Sequence, residues 1–123
     1  MPIALAASLL AATLAPLPAA VTRADVVAWV HADAADYGAS VDELLAVGQC
    51  ESQLEPFALG DGGMSFGPFQ FHLRGIWWWT PAGRAGLHPS DARQNVRMAA
   101  WAFAQGAEWR RHWSCWRALY GGG

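Results

Sequence analysis

A run of apolar residues at helical spacing, Val41, Leu44, Leu45, Val47 and Leu54, carries a carboxylic acid inside its apolar arc. At about 100° per residue, Glu51 falls between Leu44 and Val47 on the helical wheel, while Asp42, Gln49 and Gln53 fall on the opposite side. A fold that buries this arc therefore takes an acid toward its interior. The helix has a start signal: Ser40 followed by Glu43 reads as a capping box. Burial disfavours the ionised form and raises a carboxyl pKa, and a carboxyl that stays protonated near neutral pH can serve as a general acid. Gly48, one turn earlier on the same face, is expected to leave room for a substrate. The competing expectation is a solvated glutamate at a frayed helix end, since Pro56 follows closely.

The chain around this helix reads as a small, mainly helical domain. Residues 24–37 have helical spacing with Val26, Val27 and Val30 on one side, and Gly38 is placed to end that helix. Residues 57–75 break the pattern. Gly60, Gly62 and Gly63 signal turns, and Ser65 to His72 reads as a short strand or hairpin that Pro68 confines to an edge. Ser90 is expected to cap a helix with Ala92, Val96, Ala99, Ala100 and Phe103 on one face and Arg93, Gln94 and Arg97 on the other. A last helix is expected from Glu108 to Tyr120, with residues 121–123 as a flexible tail. The expected fold class is mainly α with an α+β character: a helical domain with a short β-hairpin or glycine-rich segment beside a groove.

Charge excludes little by its total and more by its distribution. The net charge of −2 gives no support for nucleic-acid binding. Lysine is absent, every carboxylate except Asp91 and Glu108 precedes residue 74, and every arginine except Arg23 follows residue 73. An arginine-rich second half suits either an anionic polymer such as a cell wall or a solvated helix face. Residues 1–20 are uncharged apart from the terminus and rich in Ala and Leu, as in a secretory signal with small residues at Ala19 and Ala20. Pro16 and Pro18 interrupt a run barely long enough for a membrane anchor. The mature domain is then 21–120, extracytoplasmic, with no stable membrane insertion and a monomer as the default.

Cys50 and Cys115 lie far apart in sequence and outside any CxxC pair, and His31, His72, His88 and His112 are scattered. No metal or cofactor is expected. The two cysteines suit an oxidising compartment and a bridge between the Glu51 helix and the last helix, or alternatively two free thiols in a core. Eight tryptophans are present. Trp77, Trp78 and Trp79 are consecutive and cannot all face one core. Trp77, close after the glycine-rich segment, is the expected sugar-stacking platform, and Trp113 and Trp116 are expected to pack around Cys115.

Three ordered segments, Gly48-Gln49-Cys50-Glu51-Ser52, Gly67-Pro68-Phe69-Gln70-Phe71 with Trp77, and Trp113-Ser114-Cys115, resemble a resuscitation-promoting-factor domain. Glu51-Ser52, Glu55-Pro56-Phe57-Ala58 and Ser65 through Gln70 also resemble the motif around the catalytic acid of soluble lytic transglycosylases. The resemblance covers residues 41–116. It implies a lysozyme-like fold and a secreted enzyme that cleaves peptidoglycan glycan strands at the MurNAc–GlcNAc linkage. In that family pattern Glu51 matches the acid, Gln70 the groove glutamine, and Cys50 and Cys115 the disulfide, and Ser65 joins Gln70 and Trp77 as a substrate-binding candidate. Two departures stand out. The tyrosine that supports the acid in transglycosylases has only a faint counterpart in Ala118-Leu119-Tyr120, and Pro81 to Pro89 form an insertion expected to reshape one groove wall. Asp61, in a glycine-rich turn, and Glu55, before Pro56, are the nearby candidates for a second carboxylate. The simpler expectation is a single-acid route in which the substrate's own N-acetyl group or 6-hydroxyl completes the displacement. A lysozyme-type hydrolase and a non-catalytic wall-binding module are the rival readings.

Overall fold

The computed structural model of the protein describes residues 20–122. The expected signal segment at 1–20 lies almost wholly outside the described residues, as does residue 123. The described chain is mainly helical with one small antiparallel sheet. Helix α1 (Arg23–Tyr37) starts at a reciprocal box: Thr22 Oγ1 accepts from the Asp25 N–H at 3.2 Å, and the Asp25 carboxylate accepts from the Thr22 N–H at 2.8 Å. It ends at Gly38, whose φ of 73° suits glycine. Helix α2 (Val41–Ser52) starts at Ser40, whose hydroxyl accepts from the Glu43 N–H. The expected return bond from Glu43 is absent, because its carboxylate instead accepts the Trp116 indole N–H at 2.9 Å.

Strands β1 (Leu59–Gly60), β2 (Ser65–Phe66) and β3 (Phe71–His72) form the sheet in that order, with Gly60 opposite Ser65 and Ser65 opposite His72. The sequence pattern foresees the β2–β3 hairpin but not β1. Pro68 sits in the β2–β3 turn, where no ladder hydrogen bond is lost. A 3₁₀ turn at Ile76–Trp79 leads to the short helix α3 (Pro81–Arg84) and then to α4 (Ala92–Gln105). Asp91, rather than Ser90, caps α4 by accepting from the Gln94 N–H at 3.0 Å, and Ser90 pairs with His88 instead. The single last helix expected from the sequence is two, α5 (Ala107–Arg110) and α6 (Ser114–Tyr120). The break lies at Trp113, where the backbone is extended and the indole enters the core to donate to Phe69 O at 2.8 Å. Among the described residues no helix is long and apolar enough to cross a membrane.

The core gathers the apolar faces of α1, α2 and α4: Val26, Val30, Leu44, Val47, Val96 and Phe103 are buried. One carboxylate sits among them. Asp33 is fully buried, and Arg93 grips it with two bonds, at 2.5 and 2.8 Å, while Arg97 adds a third at 3.1 Å. This bidentate pairing offsets the loss of hydration and fixes α1 against α4. A disulfide, Cys50–Cys115, with Cα atoms 6.0 Å apart, ties α2 to α6.

Two stability outcomes follow. Arg93 and Arg97 are each about one-third exposed, whereas Asp33 is buried. Removing both arginines strands a buried charge and should cost about 3 kcal/mol in urea unfolding. Asp33→Ala should cost less, because the freed guanidinium groups can turn to water. Replacing both cysteines by serine should lose up to about 4 kcal/mol, the chain-entropy value for a loop of this length, read as a lower unfolding midpoint in urea.

Candidate active site

The last turn of α2 places three consecutive side chains in three directions. The Cys50 sulfur bonds Cys115. Glu51 Oε1 accepts from the Cys115 N–H at 3.3 Å. Ser52 Oγ donates to Pro68 O at 2.7 Å and so holds the β2–β3 turn. The helix reaches Ser52 because two left-handed residues follow rather than precede the triplet: Gln53 and Leu54, each at φ 57°. The Leu54 N–H returns to Gly48 O at 3.2 Å. Gly48 does not make room for a substrate, as the sequence reading expects. It makes room for the core, since a Cβ there would collide with Leu54 and come within 3.3 Å of Phe69.

Glu51 is half-buried in the wall of a cleft of about 430 Å³. Further lining comes from the sheet and its turns, with Asp61, Ser65, Gln70 and His72, and from the α5–α6 junction at His112, Trp113 and Ser114. Burial pushes the Glu51 carboxyl above the ordinary glutamate value, and the nearby Asp61 charge pushes the same way. The Cys115 N–H, the Ser114 hydroxyl and the Arg117 charge oppose the rise without cancelling it. Oε1 accepts from the Cys115 N–H, which orients the carboxyl in the cleft wall.

The other expected site residues divide. Gln70 lines the cleft, but both hydrogens of its amide are committed, to Gly67 O at 2.9 Å and Ala58 O at 3.2 Å. Its carbonyl lies against Gly60, where any Cβ would collide with it. Gln70 can therefore accept a hydrogen bond from a ligand but has no donor to offer. Ser65 is 1% exposed, and its hydroxyl donates to Asp61 Oδ2 at 2.6 Å, so it holds Asp61 rather than a sugar.

Trp77 is not a sugar platform. It is 0% exposed, packs edge-on against Phe71 at 5.0 Å and donates its indole N–H to Leu87 O at 2.7 Å. The segment 81–89 explains this. It covers Trp77 from behind, with Gly83 against the Trp77 carbonyl, and contributes nothing to the cleft lining. Trp78 and Trp79 are the exposed members of the triplet, at 40% and 64%. Trp113 and Trp116 are core residues, as expected, with Trp113 edge-on to both Phe71 and Phe103.

Of the two candidate second carboxylates, Glu55 pairs with Arg23 at 2.5 Å on the surface and lies outside the cleft lining, and Asp61 lies within it. Tyr120 leans on Trp116 and does not line the cleft. Among the described residues no group of three or more potential ligands is placed to hold a metal ion.

The sequence reading misses Asn95. It is fully buried in α4, donates to Phe66 O and Pro89 O at 2.8 Å each, and accepts from the Phe69 N–H at 3.0 Å. It fixes the β2–β3 turn that carries Gln70 to the floor of the domain. Its signal was present: the chain's lone asparagine stands three residues after Ala92 and four before Ala99, on the buried stripe. His72 and His112 in the cleft wall were likewise unassigned. No family model matches the chain, and neither the curated proteins nor the solved structures give a significant match.

Proposed function

We propose that the protein cleaves peptidoglycan glycan strands in the manner of lytic transglycosylases and lysozymes, with Glu51 as the general acid and a lysozyme-like arrangement of helices around a small sheet. The observation that carries this reading is the state of Glu51: an acid in a cleft wall, its carboxyl pushed up by burial and held in place by the Cys115 N–H. An acid held in that state is what protonation of a glycosidic oxygen requires. The Cys-Glu-Ser, Gly-x-x-Gln-Phe and Trp-x-Cys segments support the same reading, since they meet around this one cleft. The bridge between Cys50 and Cys115 fits an exported protein, because disulfides persist in oxidising compartments.

In the proposed reaction a glycan strand lies along the cleft with its scissile oxygen at the Glu51 carboxyl. Glu51 gives up its proton as the bond to the anomeric carbon breaks, and the carbon is captured by the substrate's own 6-hydroxyl or N-acetyl group or by water. Gln70 Oε1 accepts from a sugar N–H or hydroxyl.

The decisive assay is incubation with purified peptidoglycan and mass spectrometry of the soluble products. Soluble muropeptides support cleavage, and tight binding without release makes the protein a wall-binding module. Glu51→Gln should reduce release by at least about 10²-fold, since an amide cannot donate the proton. The wild-type rate should fall as pH rises through the raised Glu51 pKa, at a pH above the ordinary glutamate range. Stability falls with rising pH in the same direction as activity. A carboxyl whose folded pKa lies above its unfolded value binds its proton more tightly when folded, so stability declines as pH rises between the two. Glu51→Gln removes that decline, and its thermal midpoint at neutral pH should equal or exceed that of the wild type.

A further inference from the structure

We propose that Asp61 is a second catalytic carboxylate: it takes a proton from the water molecule that attacks the anomeric carbon, and so directs the cleft to hydrolysis. This rests on the glycan-cleavage reading of Glu51 and departs from the single-acid route expected from the sequence.

Three features single out Asp61. It is the only carboxylate other than Glu51 in the cleft lining among the described residues, and it comes from the β1–β2 turn rather than from α2. It is solvent-exposed, where Glu51 is half-buried, so the two acids have the unequal surroundings that separate an acid from a base. Its bonding is not that of a turn former. An aspartate kept for its turn accepts a backbone N–H within the turn. The Asp61 carboxylate accepts instead from the hydroxyl of Ser65, a buried residue of β2, at 2.6 Å. That bond occupies Oδ2 and leaves Oδ1 for a water. Asp61 also stands at φ 50°, a conformation aspartate tolerates better than most residues and one that recurs at functional sites. Its charge is felt at Glu51, which places the two within interaction range.

The step balances with water as the only co-reactant. Asp61 Oδ1 receives one proton of the water, the water oxygen bonds the anomeric carbon, and the glycosidic C–O bond breaks. Its electron pair takes the proton of Glu51. The products are a strand with a new reducing end and a strand with a new free hydroxyl at its non-reducing end, with Asp61 protonated and Glu51 ionised until solvent exchanges the two protons. Ser65 acts through Asp61 and is a positioning residue.

The test digests purified peptidoglycan in H₂¹⁸O with the wild type, Glu51→Gln, Asp61→Asn and Ser65→Ala, with melting curves for each. The expected wild-type products carry one ¹⁸O at a new reducing end. Asp61→Asn should lose at least about 10²-fold in rate and keep a wild-type melting temperature. Ser65→Ala should lower kcat and leave KM unchanged. Anhydro-sugar ends from the wild type overturn the inference whatever the variants do, and so does a wild-type rate in Asp61→Asn. In both cases the Glu51 reading survives if Glu51→Gln is inactive. Absence of any product from the wild type overturns both.

Discussion

The cleft depends on one covalent constraint, the disulfide between Cys50 and Cys115. The bridge joins the residue before Glu51 to the residue whose N–H Glu51 accepts. A hydrogen bond of 3.3 Å to a half-buried carboxyl is weak alone. Here its two partners are already held together one residue away, so forming it orders little additional chain. Ser52 extends the clamp to the sheet through Pro68 O. The Cys-Glu-Ser triplet thus ties α2 to α6 and to the β2–β3 turn, and those are the walls of the cleft. Asn95 completes the frame from behind by binding both strands' connections to α4.

Two carboxylates, treated oppositely, separate structure from function in this molecule. Asp33 is buried completely and met by two arginines, so its charge is neutralised where it stands. Glu51 is half-buried without a bonded cation, its pKa pushed up by the loss of water. Stability alone favours the first arrangement and not the second, because an unpaired carboxyl loses hydration with no ion pair in return. An acid left in that state, lining a cleft, is the group that the proposed reaction uses. The arginines of α4 could not serve both: they lie on the α1 side of the helix, in contact with Trp29 and Tyr37.

The periodic elements were legible in the sequence and the local chemistry was not. α1, α2 and α4 follow from apolar spacing and from Gly38, and Glu51 from its place on the α2 wheel. The errors came where a side chain chose a distant partner over a near one. Glu43 has the spacing of a capping box but bonds Trp116, which no local rule foresees. Ser65 and Gln70 look like groove residues and do line the cleft, yet their donors serve Asp61 and two backbone carbonyls. The last helix splits because Trp113 gains more by entering the core, with its indole N–H satisfied, than by continuing a helix.

Trp77 shows how the segment that follows an indole can decide whether the ring is exposed. Here residues 81–89 fold back over the ring, Thr80 caps the new turn, and Leu87 O accepts the indole N–H. The ring is then fully buried. Its neighbours Trp78 and Trp79 are turned outward by the same 3₁₀ turn that directs Trp77 inward, since three residues per turn cannot place consecutive side chains on one face. The aromatic surface that remains exposed is therefore set by where Trp77 is anchored, and the cleft keeps Trp113, from the opposite end of the chain, as its aromatic wall.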